Sequence, residues 1–317
     1  MNLRETTDAL ATLGIDHAVL PSGSEGAVLV SSDCGRLLGL WPNGRAENAL
    51  WLDPGFFEAL RGAARREEWT NPGGDRVWLG PDEEFLDPGT GMPSSVDPGR
   101  YVSLGDRDGC RIENRGDAWA ARSGVRMAFR IERRFAAIDV QELAAAWAVP
   151  HLRQAGCGET TVLEVAPEAP MVRLRGIAQV PAGGETWILL ARRWAETPLA
   201  AEPIGSFAVD AGCAVLHAGG PRRTLVFGAA DARSRLLHLA ELGAGRSLLL
   251  VKECGAEEPA GLACTTGGGG PCTDLCLESP RIGGATGRQR LVWRQLLYAV
   301  VGRTVEMRAL LKRIASS

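Results

Sequence analysis

Arg126-Met127-Ala128-Phe129-Arg130-Ile131-Glu132-Arg133 changes character at every step. Successive side chains of an extended chain point to opposite faces. Met127, Phe129 and Ile131 therefore share one face, and Arg126, Ala128, Arg130 and Glu132 share the other. The stretch predicts a half-buried strand. Downstream, apolar segments recur near 160–166, 170–178, 185–194, 204–209, 213–218, 223–228, 235–242 and 246–253. Turns such as Ala182-Gly183-Gly184, Gly219-Gly220-Pro221 and Gly243-Ala244-Gly245 punctuate them. Upstream, Ala27-Val28-Leu29-Val30 and Arg36-Leu37-Leu38-Gly39-Leu40-Trp41 flank the turn residues Asp33-Cys34-Gly35. A strand and a turn every ten residues or so is the rhythm of a large antiparallel sandwich or barrel. The predicted class is all-β.

Helix signals are few. Ala9, Leu10 and Leu13 after Thr6 and Thr7 predict a short helix over 5–13, and Asp53-Pro54 predicts a helical turn. Val305, Leu310, Leu311 and Ile314 predict a helix over 304–314, after a long strand over 288–300. Residues 80–99, rich in proline and glycine, predict a long ordered loop. Residues 139–149 combine high helix propensity with a position among strands, and both readings stay open. There is no repeat of fixed period and no polar linker, so residues 1–317 read as a single domain.

Composition narrows the function. The 317 residues carry 35 Lys and Arg against 38 Asp and Glu, a net charge of −3. A nucleic-acid protein normally shows a basic excess, and none is present. Only Lys252 and Lys312 are lysines, so a lone arginine carries little information. No window approaches the roughly 18–20 apolar residues of a membrane-spanning helix. The N-terminal residues include acids and no apolar run, which predicts a cytoplasmic protein. The 8 cysteines mostly stand singly in apolar runs and read as buried free thiols. Cys264, Cys272 and Cys276 lack the paired knuckles of structural zinc. Gly267 to Gly270 lacks the Lys-Ser/Thr of a phosphate loop. Neither a nucleophile elbow nor a dinucleotide fingerprint is present. No metal and no cofactor is expected.

The densest constellation is Trp69-Thr70-Asn71-Pro72-Gly73-Gly74-Asp75-Arg76-Val77-Trp78-Leu79-Gly80-Pro81-Asp82-Glu83. Paired glycines let a backbone turn sharply or approach a ligand closely. A carboxylate, a guanidinium and an indole follow, groups that suit hydroxyls and the apolar face of a sugar ring. The same residues also read as a Gly-Gly hairpin with an internal Asp75–Arg76 pair.

This stretch resembles the G-G-D/H-R-x-W-x-x-P-E signature of bacterial proteins with the galactose-mutarotase-like β-supersandwich, whose enzymatic relatives are the aldose 1-epimerases. Gly35-Arg36-Leu37-Leu38-Gly39-Leu40 through Asn48, Ala145-Ala146-Trp147-Ala148-Val149-Pro150-His151, and Asp274-Leu275-Cys276-Leu277-Glu278-Ser279-Pro280 resemble further family segments in the same order. The resemblance implies an antiparallel supersandwich, its N-terminal helix covering one edge and its C-terminal helix packing outside. It also implies a saccharide cleft on the concave face of the larger sheet, taking a small sugar or an oligosaccharide.

Mutarotation adds a proton to the ring oxygen while the anomeric hydroxyl loses one, so it needs a general acid and a general base. Glu278 matches the family base, and partial burial would raise its pKa into a useful range. His151 is preferred as acid over His217 and His238. Asn48, Asp75, Arg76, Trp78 and Trp147 are expected to line the cleft, with Arg76 bridging sugar hydroxyls or a substrate carboxylate. The histidine-rich neighbourhood of the epimerase acid has no counterpart here. A non-catalytic saccharide-binding or sensing protein is therefore the alternative. The oligomeric state is not readable from these residues.

Overall fold

The 126–133 alternation lies inside a strand, Val125–Ala137, with Met127, Phe129, Ile131 and Phe135 buried on its inner face. The computed structural model of the protein describes residues 1–43, 47–56, 71–86, 91–138, 152–190, 207–210, 213–217, 223–227, 232–254, 262–266 and 271–316. Among the described residues the strands form two sheets in which every pairing is antiparallel. The smaller has eight strands in the spatial order β1 (His17–Ser22), β2 (Gly26–Ser31), β3 (Arg36–Trp41), β4 (Asp75–Gly80), β9 (Arg173–Pro181), β17 (Cys272–Glu278), β16 (Leu262–Thr266) and β13 (Arg223–Phe227). The larger has ten. Its order is β11 (Phe207–Asp210), β12 (Cys213–His217), β10 (Glu185–Leu190), β14 (Ala232–Gly243), β15 (Arg246–Cys254), β18 (Arg290–Arg303), β8 (Arg153–Val165), β7 (Val125–Ala137), β6 (Cys110–Ala120) and β5 (Val102–Ser103). The chain is an all-β sandwich with a helix near each end.

Inward residues of both sheets share one core. Val77, Leu79, Leu174, Ala178, Leu275 and Leu277 of the smaller sheet meet Ile131, Leu163, Leu250, Leu291 and Leu297 of the larger. Strands β2 and β3 are buried on both faces, which is why they read as continuous apolar runs. Their outer face is covered by the helix Leu3–Thr12 through Leu3, Ala9 and Leu10 against Leu29, Leu38 and Trp41. That helix covers a sheet face, where the sequence suggested an edge. It also begins earlier than the expected residue 5, at Leu3. Asn2 accepts from the Glu5 amide, and Glu5 accepts from the Asn2 amide, a reciprocal cap that satisfies two otherwise orphaned donors.

At the other end, Met307, Leu310, Leu311 and Ile314 of the helix Thr304–Ser316 pack on Leu237, Leu249, Val251 and Tyr298, the outer face of β14, β15 and β18. The 80–99 stretch holds one short helix, Asp82–Phe85, where an unbroken loop was expected. Among the described residues Cys34, Cys110, Cys157, Cys213, Cys254 and Cys276 are buried and Cys272 is partly exposed. Residues 139–149 lie outside the described residues.

The shared core also contains charge. Asp75 accepts from Arg133 Nη2 at 3.0 Å and from Lys252 Nζ, and Arg133 Nε donates to Glu159 at 2.7 Å. None of the four side chains is more than 1% exposed. Two positive and two negative groups cancel, and Thr161 Oγ1 and the Gly35 carbonyl add hydrogen bonds. Buried ions are tolerable only when so paired.

Candidate functional site

The register across β4, β9 and β17 places one side chain beside the next on the outer face of the smaller sheet. Trp78 stands opposite Arg175, and Arg175 opposite Glu278. Arg76 stands opposite Ile177, and Ile177 opposite Cys276. Asp274 faces Gln179 in the next row. Trp78, Ile177 and Cys276 form a small apolar patch bounded by these polar groups.

Two glycines bring β4 into position. Gly73 and Gly74 have φ of 89° and 78°, which L side chains rarely adopt. A Cβ on Gly74 would lie 2.4 Å from the Leu37 carbonyl oxygen, and one on Gly73 would lie 2.2 Å from that of Trp51. The backbone passes through a gap with no room for a side chain, and Arg76 and Trp78 emerge just beyond it.

Asp97, delivered by the 91–100 segment, organises the face. Its Oδ1 accepts from Arg36 Nη2 at 2.7 Å, and its Oδ2 from Trp78 Nε1 at 2.7 Å. Arg76 Nε lies 3.9 Å from the same Oδ2. Burial alone would raise the Asp97 pKa, but the Arg36 and Arg76 charges and the two hydrogen bonds hold it below the usual carboxylate value. Arg76 donates to Asn71 Oδ1 at 2.7 Å and to Gln179 Oε1 at 3.2 Å, and its guanidinium lies 4.5 Å from the Trp78 ring centroid. Burial and the neighbouring Arg36 charge lower its pKa to about 10, so it remains a cationic donor at neutral pH. Gln179 donates onward to Asp274 at 2.9 Å.

At the other end of the face, Glu278 forms ion pairs with two guanidiniums. Arg173 Nη1 is 2.7 Å from Oε2, and Arg175 Nε is 3.3 Å from Oε1. Arg175 also pairs with Asp82. These groups are the more open ones. Arg173 is 23% exposed and Arg175 14%, whereas Arg76 is 6% and Asp97 4%. A ligand would meet Trp78, Arg173, Arg175 and Glu278, with Arg76 and Asp97 supporting them from beneath.

Of the residues singled out in the sequence, the structure brings Arg76, Trp78 and Glu278 together. It does so on the smaller sheet, where the larger was expected. Part of the outer face of the larger sheet is covered by the C-terminal helix, and part carries cross-strand ion pairs such as Arg130 with Glu113 and Glu164. Asp75 points the other way, into the buried charge set, and does not pair with Arg76. Asn48 spends its amide on backbone, accepting from Leu40 and Leu50 and donating to Leu38. It lines a separate groove of about 350 Å³ with Glu185, His217 and Arg308. His238 is buried and bonded to Thr186. Trp147 and His151 lie outside the described residues.

Sequence reasoning missed Arg36, Asp97, Arg173, Arg175, Gln179 and Asp274 as members of the face. The outward parity of β9, with Arg173, Arg175, Ile177 and Gln179 in phase, was the available signal.

No family model matches the chain, and no curated protein matches it. Among solved structures, the chain is similar to a galactose 1-epimerase from Lactobacillus acidophilus NCFM, at 10% identity over 91% of this chain and 95% of that one, with a TM-score of 0.43. It is similar to an alpha-galactosidase from Lactobacillus brevis at 7% identity over 92% of this chain, with a TM-score of 0.41. The chain spans 40% of that larger protein. A third similar structure is an aldose epimerase homologue from C. elegans, at 7% identity over 91% of this chain and 99% of that one, with a TM-score of 0.38.

Proposed function

We propose that the chain, built as one domain, is a carbohydrate-active protein that holds a saccharide on the outer face of its smaller sheet and exchanges the sugar's anomers. The observation that carries this reading is the row Trp78–Arg175–Glu278, in register across three strands and closed by Arg173 on the second oxygen of Glu278. Guanidiniums and a carboxylate beside a partly exposed indole supply donors, an acceptor and an apolar platform, the combination a polyol ring needs. The Gly-Gly-Asp-Arg-x-Trp motif that places Arg76 and Trp78 adds the resemblance to mutarotase-like proteins.

In this reading Glu278 takes the proton of the anomeric hydroxyl while an acid protonates the ring oxygen. The bond from C1 to the ring oxygen breaks, the open-chain aldehyde rotates, and the reverse transfers close the other anomer. His151 remains the acid suggested by the sequence. The sugar is neither oxidised nor reduced overall, so the reaction needs no redox cofactor.

One observation favours a second reading. Both oxygens of Glu278 already carry a guanidinium. A carboxylate with a cation on each oxygen is crowded on both edges, which suits a protein that holds a saccharide without turnover. Polarimetry of a panel of aldoses and uronic acids separates the two. Anomer exchange accelerated by the wild type and abolished in Glu278→Gln supports the isomerase. Binding without acceleration supports the second reading, and neither binding nor acceleration overturns both.

A further inference from the structure

A groove of about 600 Å³ opens on the outer face of the larger sheet, away from the Trp78–Glu278 row. The register builds it from two lines of side chains. Arg134 on β7 faces Thr160 on β8, and Thr160 faces Arg294 on β18. Two residues along, Ala136, Gly158, Leu296, Glu253 and Arg235 stand side by side across five strands. The hollow exists because Ala136 and Gly158 are small where their neighbours are long. A Cβ on Gly158 would meet nothing closer than Ile138 Cγ2, at 3.6 Å.

The charges of the groove do not cancel. Glu253 is bonded to Arg235 at 2.6 Å, so these two neutralise each other. Glu159 contributes only backbone, because its carboxylate is buried on the inner face against Arg133. Arg134 pairs with Asp106, which is not among the lining residues, at 2.7 Å. Arg294 is exposed and has no ion pair or hydrogen bond among the described residues. Adjacent strands are about 4.8 Å apart, so the backbones of Arg134 and Arg294 stand roughly 10 Å from each other. Two long guanidinium side chains at that spacing can close on one tetrahedral oxyanion, with the Thr160 hydroxyl between them as a further donor. Leu296, Ala136 and Gly158 leave an uncharged floor beside it, with room for a small organic body.

We propose that this groove binds a phosphorylated small molecule. Arg294 and Arg134 clamp the phosphoryl group, Thr160 donates to it, and the remainder of the molecule lies over Gly158 and Leu296. The site is independent of the saccharide reading, since it shares no residue with the Trp78–Glu278 face.

Isothermal titration with inorganic phosphate, glucose 6-phosphate and glucose tests it on the full chain. The expected result is binding of glucose 6-phosphate that weakens at least tenfold in Arg294→Ala and, separately, in Gly158→Leu, which fills the hollow from an exposed sheet face. Arg4→Ala, on the exposed side of the N-terminal helix, leaves it unchanged. Inorganic phosphate binding as tightly as glucose 6-phosphate would keep the oxyanion clamp and overturn the part of the proposal that seats an organic body on the floor. No phosphate-dependent binding, or binding indifferent to both Arg294→Ala and Gly158→Leu, overturns the site.

Discussion

The indole nitrogen of Trp78 donates to Asp97 Oδ2 at 2.7 Å, and this bond ties the 91–100 segment to the face of the smaller sheet. The other oxygen of the same carboxylate holds Arg36, so one buried anion orients an indole and neighbouring guanidiniums. The ring of Trp78 is engaged as well, because Arg76 stacks on it. Trp78 is therefore already fixed at its polar edge and over its ring before any ligand could arrive. That is preorganisation, which lowers the entropy lost on binding.

Removing the Asp97 charge should be costly. Asp97→Asn keeps the shape but leaves the buried Arg36 and Arg76 guanidiniums without their anion, a change expected to cost about 3–5 kcal/mol. Urea unfolding at pH 7 measures it. The pH dependence gives a second readout. Asp97 has a folded pKa below its unfolded value of about 3.9, so its contribution is full above that pH and is lost as acid carries the pH through the folded value. The wild-type urea midpoint should drop below about pH 4, and that of Asp97→Asn should drop less.

Lys252 should behave as a core residue. Its ammonium and the Asp75 carboxylate are both fully buried. Lys252→Met is expected to destabilise by about 3–5 kcal/mol, because Asp75 keeps only one of its two cationic partners. Lys312, in the C-terminal helix and exposed, is the control, and Lys312→Met should change stability by less than about 0.5 kcal/mol. Equal unfolding midpoints for the two variants would contradict the buried charge set.

This charge set shows what the sequence concealed and what it offered. Alternation in 126–133 made the strand legible, and the same parity places Arg133 in phase with Met127, Phe129 and Ile131. Lys252 is likewise in phase with Leu248 and Leu250. Their burial was therefore readable, but Asp75 comes from the other sheet and Glu159 from the neighbouring strand β8, 26 residues along the chain, and neither pairing leaves a local signal. The face around Trp78 was legible only where a motif marked it. Arg173 and Arg175 are ordinary arginines in an arginine-rich chain until β9 lies between β4 and β17. That Arg76, Trp78 and Glu278 share the smaller sheet was not legible, because it depends on strand order across the sheet, a property of packing rather than of any one segment.

His238 predicts a second pH effect. Burial lowers its pKa from 6.5 to about 4, so the folded protein keeps it neutral while the unfolded chain protonates it. Its contribution to stability is full above pH 6.5, declines as pH falls from 6.5 to 4, and does not change further below that. The slope approaches 1.4 kcal/mol per pH unit, a total of about 3 kcal/mol. His238→Gln should flatten the urea midpoint across that interval, and an unchanged slope would show that His238 is not the group responsible.

The proposed saccharide site on the outer face of the smaller sheet is tested most directly by saturation-transfer NMR with a panel of aldoses and uronic acids. Arg173, partly exposed at the rim, is the informative position, because its loss removes a charged hydrogen-bond donor without opening the core. The expected result is transfer from at least one sugar to the wild type, with affinity about tenfold weaker in Arg173→Ala and in Trp78→Phe. Silence across the whole panel, or transfer that both substitutions leave unchanged, contradicts the placement of a sugar at the Trp78–Arg175–Glu278 row.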